Sequence, residues 1–179
     1  SFSKTGGRLP CHIDMTSAEG LEASAGSLGH GAGIGVGMAL ANKMDARTGR
    51  IFVIVGDGEI QEGSVWEAVA LASTQKLDNF TLIVDFNGIQ ASDFSNKTID
   101  QRNLSERLTA FGFDACDVDG HDVDALTAAF KKRSDKPTAI VAHTVKGKGV
   151  SFMENTVQSH YTKLTDELCE KALADVEGM

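Results

Sequence analysis

Two short apolar runs rich in β-branched residues, 51–55 and 80–84, stand at either end of a stretch with helical spacing. Each is too short for a buried helix and is closed by turn residues, Gly56-Asp57-Gly58 after the first and Asp85-Phe86-Asn87-Gly88 after the second. The pattern predicts a strand, a crossover helix and a second strand, parallel in one sheet with a right-handed crossover. Further on, 104–111 has a short helical pattern and 113–118 reads as a strand. A capped turn at 119–122 leads into an amphipathic helix over 123–133 with Leu126 and Phe130 inward, and 138–143 is another strand. Thr165, Asp166 and Glu167 cap a last helix reaching about Val176. The alternation predicts an α/β fold: a parallel sheet flanked by helices.

Upstream, residues 1–9 are polar, 10–14 read as an extended loop, and 20–45 are rich in glycine. Glycines 29, 31, 33, 35 and 37 alternate through an apolar helix ending near Lys43. Each interior glycine costs a helix about 0.8–1 kcal/mol against alanine, so close approach of the backbone to another backbone or to a ligand is expected to offset it. No G-x-G-x-x-G registers on these glycines, no strand immediately precedes them, and no G-K-[ST] follows. The Rossmann and P-loop readings therefore fail. Residues 92–103 are polar and irregular and read as a surface loop.

Composition narrows the classes. The 179 residues, 41% hydrophobic and 23% charged, predict one globular domain, with no run of about 18 apolar residues and no signal-peptide pattern. Neither a membrane span nor secretion is expected, and the cytoplasm is the expected location. Cys11, Cys116 and Cys169 are far apart and odd in number, which disfavours zinc and a disulfide framework. The net charge of −8 disfavours nucleic acid. It also disfavours an anionic cofactor, unless a metal and local amides supply a positive field.

The two turns offer that field. Asp57 and Asn87 follow neighbouring strands and are expected at the carboxyl edge of the sheet, where open parallel sheets bind ligands. Asp57, the Asn87 amide oxygen and a nearby carbonyl would give a hard dication three oxygen ligands, leaving places for two diphosphate oxygens and a water. Gly58 would let the main chain approach a phosphate oxygen and open a helix whose N-terminus favours anions. Without its surroundings, Asp57 would read as a turn residue between strand and helix.

The string GDGEIQEGSVWEA over 56–68, followed by KLDNFTLIVDFNGIQ over 76–90, resembles the cofactor-diphosphate domain of transketolase. The resemblance implies thiamine diphosphate with Mg²⁺ or Ca²⁺. It implies Asp57, Asn87 and the Ile89 carbonyl as metal ligands, Gly58 on the diphosphate, and Glu62 in a carboxylate relay toward a partner subunit. Phe86 stands where the family often has a polar residue. Pro10-Cys11-His12-Ile13-Asp14 resembles the G-H-P-[DE] loop, which implies that His12 hydrogen-bonds near the thiazolium and moves protons. Gly26, Ser27 and Leu28 match the S-T-G-S-L-G-Q-G segment, which implies contacts with the thiazolium and aminopyrimidine. Thr144 to Asn155 is similar to the K-G-K-G loop of two-piece transketolases, although its lysines, read alone, are solvated. His160, beyond that loop, matches a histidine that touches the diphosphate and moves protons. His121 precedes a helix and reads as a capping or solvated residue.

The resemblance covers nearly the whole chain but part of the family's catalytic unit. It implies one diphosphate-binding domain over 1–179, truncated at its N-terminus, that works with a C-terminal subunit or domain carrying the pyrimidine-binding site, in a dimer or heterotetramer. The activity implied is transfer of a two-carbon ketol unit between sugar phosphates. The alternatives are another thiamine diphosphate enzyme subunit, of the deoxyxylulose-phosphate synthase or ketoacid dehydrogenase kind, or a non-catalytic cofactor-binding or assembly module.

Overall fold

A computed structural model describes residues 2–178. Four strands form one wholly parallel sheet in the order β1-β2-β4-β3: β1 (Ile51–Gly56), β2 (Phe80–Phe86), β3 (Asp114–Asp119) and β4 (Thr138–His143). β2 and β4 are central and read as continuous apolar runs, because both of their faces are covered. The parallel sheet flanked by helices agrees with the expected fold class.

On one face lie α1 (His30–Met44), α2 (Gly63–Thr74) and α4 (Leu104–Ala110). They bury a core that includes Val36, Ala39, Val65, Val69, Leu108, Phe80 and Phe113. The short helix α3 (Ser95–Thr98) falls inside the stretch expected to be an irregular loop. On the other face α5 (Val123–Lys131) covers β2 through β4, around Ile83, Ala129 and Ile140. That cover stops short of β1, where Phe52 is 45% and Ile54 70% exposed. The last helix, α6 (Asp166–Glu177), is capped by the Thr165 hydroxyl, which accepts from the Leu168 amide, and it buries none of its residues. No helix among the described residues is long and apolar enough to cross a membrane.

The glycines of α1 divide by what they face. A side chain at Gly35 would drive into Val53 of β1 and lie 3.2 Å from the Phe80 ring, so glycine there lets the helix lie close on the sheet. Gly33 and Gly37 are exposed, with nothing of this chain within 4 Å of where a Cβ would stand. The expected offset of helix cost by close approach is thus found at Gly35 and is missing at those two positions.

Candidate functional site

Parallel pairing carries the two turns to one rim. Gly56 lies opposite Asp85, so Asp57 leaves β1 beside the point where Asn87 leaves β2. The Asp57 side chain is 1% exposed, and its Oδ2 accepts from the amide of Gly88 at 2.6 Å. Asn87 Oδ1 accepts from the amide of Ile89 at 3.1 Å, while its Nδ2 donates to Asp85 at 3.1 Å. The Thr144 hydroxyl, just past β4, donates to the other oxygen of Asp85. The nitrogen end of the Asn87 amide is therefore held by a carboxylate, and its oxygen keeps one lone pair to offer.

Asp57 is a buried carboxylate without a cation. Among the described residues its oxygens enter no ion pair. Burial pushes its pKa above the ordinary aspartate range, hydrogen bonds from Ser95, Gly88 and Gly58 pull it back, and nearby Asp85 pushes it up again. The Ser95 hydroxyl is buried and faces this carboxylate without completing a hydrogen bond of good geometry. A carboxylate, an amide oxygen and a main-chain carbonyl suit a hard dication. No group of three His, Cys, Asp or Glu side chains among the described residues forms a metal cage. A set of this kind needs oxygens from a ligand and water to complete a shell of six.

The turn after Asp57 differs from expectation. Gly58 is followed by a 3-10 turn, Glu59–Gln61, and α2 begins only at Gly63 with Glu62 as its N-cap. At φ −71° the Gly58 backbone is one that any residue adopts. Glycine is required there because a Cβ would lie 2.9 Å from the Cβ of Gln90, so the GDG turn packs directly on the turn after β2. Phe86 turns toward the core and stacks edge to face with His143, ring centres 5.3 Å apart.

A second, exposed loop carries His12, Gly26, Ser27 and Leu28. Gly26 has φ 139°, and a Cβ there would lie 2.8 Å from the ring of His12, so this histidine is seated on the glycine loop. The amide of Ala25 donates to the carbonyl of Ile13 at 3.0 Å and holds the two segments together. This loop reaches the rim through Gly29, whose amide donates to Glu59 at 2.9 Å and whose missing Cβ would lie 3.0 Å from the Cβ of Glu62. Glu62 itself is exposed.

His160 stands in the 3-10 turn Val157–Tyr161, its ring edge to face with Tyr161. Partial burial lowers its pKa, the charge of Lys146 lowers it further, and Asp57 opposes both. One histidine thus senses a lysine of the loop after β4 and the buried carboxylate. Lys146, read from sequence as solvated, belongs to the same neighbourhood. Asp85, Ser95 and Gln90 also escaped the sequence reading. Their offsets from Asn87 were visible, but nothing in a linear pattern says which way their side chains turn. His121, read as capping or solvated, accepts a hydrogen bond from the amide of Val145 at 2.8 Å.

The family described as transketolase, thiamine diphosphate binding domain, matches residues 1–174. A 6-deoxy-6-sulfo-D-fructose transketolase subunit from a Clostridium species is 37% identical over 99% of this chain, which spans 66% of that relative. One of the two subunits of an apulose-4-phosphate transketolase from Phocaeicola vulgatus is 38% identical over 88% of this chain and 57% of its own length. The crystal structure of a transketolase from Campylobacter jejuni superposes with a TM-score of 0.90 at 33% identity, covering 98% of this chain and 29% of that one. The chain thus spans less than two thirds of each of these relatives.

Proposed function

The chain belongs to the transketolase thiamine diphosphate-binding domain family, and from that premise we propose that it is the diphosphate-binding part of a transketolase that moves a two-carbon ketol unit between sugar phosphates. The observation that carries the reading is the buried, unpaired carboxylate of Asp57 meeting the amide of Asn87 at one sheet rim. In this reading Asp57, Asn87 and the Ile89 carbonyl hold Mg²⁺, with Ca²⁺ as an equivalent hard ion, and Gly58 and His160 adjoin the diphosphate. Gly26, Ser27 and Leu28 receive the ring end of the cofactor. Thiamine diphosphate, when bound, supplies the electron sink that makes a carbonyl carbon exchange its bonds. The protein's part is to bind, orient and move protons. The ring of His12, fixed against Gly26, is placed to hydrogen-bond sugar hydroxyls, and His160 exchanges a proton near the diphosphate. Its depressed pKa keeps the imidazole neutral at a pH where an ordinary histidine is already charged, so it is ready to accept one.

The exposed loop 26–28 and the exposed Glu62 support a site completed by a second polypeptide or domain that carries the pyrimidine pocket. Gly33 and Gly37 on α1 support the same conclusion, since their helix cost has no offset within this chain. One diphosphate-binding domain over residues 1–179, with its partner in a dimer or heterotetramer, fits these features. The names of the relatives support anionic sugars as substrates.

Calorimetric titration of thiamine diphosphate with Mg²⁺, with and without a transketolase C-terminal subunit, tests the reading. Heat is expected with the partner present. Asp57→Ala should weaken Mg²⁺-dependent binding by about a hundredfold or more. Equal affinity in wild type and variant removes the metal assignment, and absence of heat under both conditions removes the function.

A further inference from the structure

Glu59 joins the two glycine loops. Its Oε1 accepts from the amide of Gly29 at 2.9 Å, and its Oε2 accepts from the amide of Gly56 at 3.4 Å. Gly29 is the residue through which the chain enters α1, at φ 81°, with Ser64 and Glu62 so close that no side chain fits. It directly follows Leu28 of the loop assigned to the ring end of the cofactor, and Gly56 directly precedes Asp57. One carboxylate thus clamps both ends of the proposed site together, through hydrogen bonds strengthened by its charge. The 3-10 turn that begins at Glu59 follows immediately after Gly58, so anything that fixes Gly58 also fixes the clamp.

We propose that Glu59 is a positioning residue that couples the two ends, so that occupation of the diphosphate end at Asp57 and Gly58 orders residues 26–29 for the ring end. The inference rests on the thiamine diphosphate reading above. Glu59 acts through Gly29 and Gly56 and touches no substrate.

Hydrogen exchange of the full chain with Mg²⁺ and inorganic pyrophosphate tests the coupling, because pyrophosphate reaches only the diphosphate end. In wild type, exchange at the amides of 26–30 should slow about fivefold on pyrophosphate binding. Glu59→Ala should hold Mg²⁺-pyrophosphate within about threefold of wild type, lose that slowing, and bind thiamine diphosphate about tenfold more weakly. Glu59→Gln keeps the length and an accepting oxygen toward Gly29, and should recover most of the thiamine diphosphate affinity. Glu59→Asp, one methylene too short to span both amides, should behave as alanine does and serves if the alanine variant does not fold. Slowing that persists in Glu59→Ala overturns the coupling, as does pyrophosphate affinity that falls as far as thiamine diphosphate affinity. If wild type binds no Mg²⁺-pyrophosphate, the cofactor reading itself has failed. That result is distinct from one in which wild type binds and the variants match it.

Discussion

Asp85 shows how a residue that faces no ligand can decide what another residue offers. An asparagine amide presents a donor and an acceptor of nearly the same shape, and only its neighbours choose between them. Asp85, held by the hydroxyl of Thr144, takes the nitrogen end of Asn87 at 3.1 Å and so assigns the oxygen to the site. Asp85→Ala should let the amide turn and weaken Mg²⁺-dependent thiamine diphosphate binding by about 10–100-fold, the usual range for residues that orient a metal ligand. Calorimetry reads this directly, and an unchanged affinity would show that Asn87 needs no such support. His12 sits on Gly26 and belongs to the chemistry instead of the anchoring. His12→Ala should leave cofactor affinity within about threefold and lower kcat of the assembled enzyme by about 10²–10⁴, the share of a proton-transferring group. A loss confined to cofactor affinity would assign it to binding.

Helix α1 joins two kinds of glycine in one element. Where it crosses β1, Gly35 has Val53 and Phe80 against it, and overpacking there costs more than the helix gains. Gly35→Ala should therefore destabilise the chain by about 1–3 kcal/mol. On the opposite side, Gly37 meets nothing. Gly37→Ala should stabilise the isolated chain by about 0.5–1 kcal/mol and weaken its association with a partner that packs on this helix. Chemical denaturation of the two variants, followed by sedimentation with the partner, distinguishes the roles. Association unchanged in Gly37→Ala would leave that glycine without a docking role.

Taken whole, the chain balances a buried charge against the ligand that would neutralise it. Because burial raises the pKa of Asp57 in the metal-free protein, its contribution to stability is present at low pH and is lost as pH rises through that raised value. Mg²⁺ with pyrophosphate should restore what is lost, so the rise in Tm on adding them should be larger at pH 8 than at pH 5. Competition between proton and metal should also weaken binding in acid, beginning above the pH at which an ordinary aspartate titrates. Thermal melts across pH with and without Mg²⁺-pyrophosphate read both effects. A ligand-induced shift independent of pH would mean that Asp57 is not the group being neutralised.

Strand and helix placement was readable along the chain because apolar periodicity is a local property. β1, β2, β4 and α5 lie within a few residues of their expected bounds, and the parallel sheet followed from the length of the crossover. The meeting of Asp57 and Asn87 at one rim was readable for the same reason, since two adjacent parallel strands end on the same side. Three features had no linear signal: the late start of α2 after a 3-10 turn, the helix α3 inside a polar stretch, and the reach of Glu59 to Gly29 across 30 positions. Each depends on which main-chain amide lies within about 3 Å of a given side chain once the chain has packed, and residue order alone does not encode that distance.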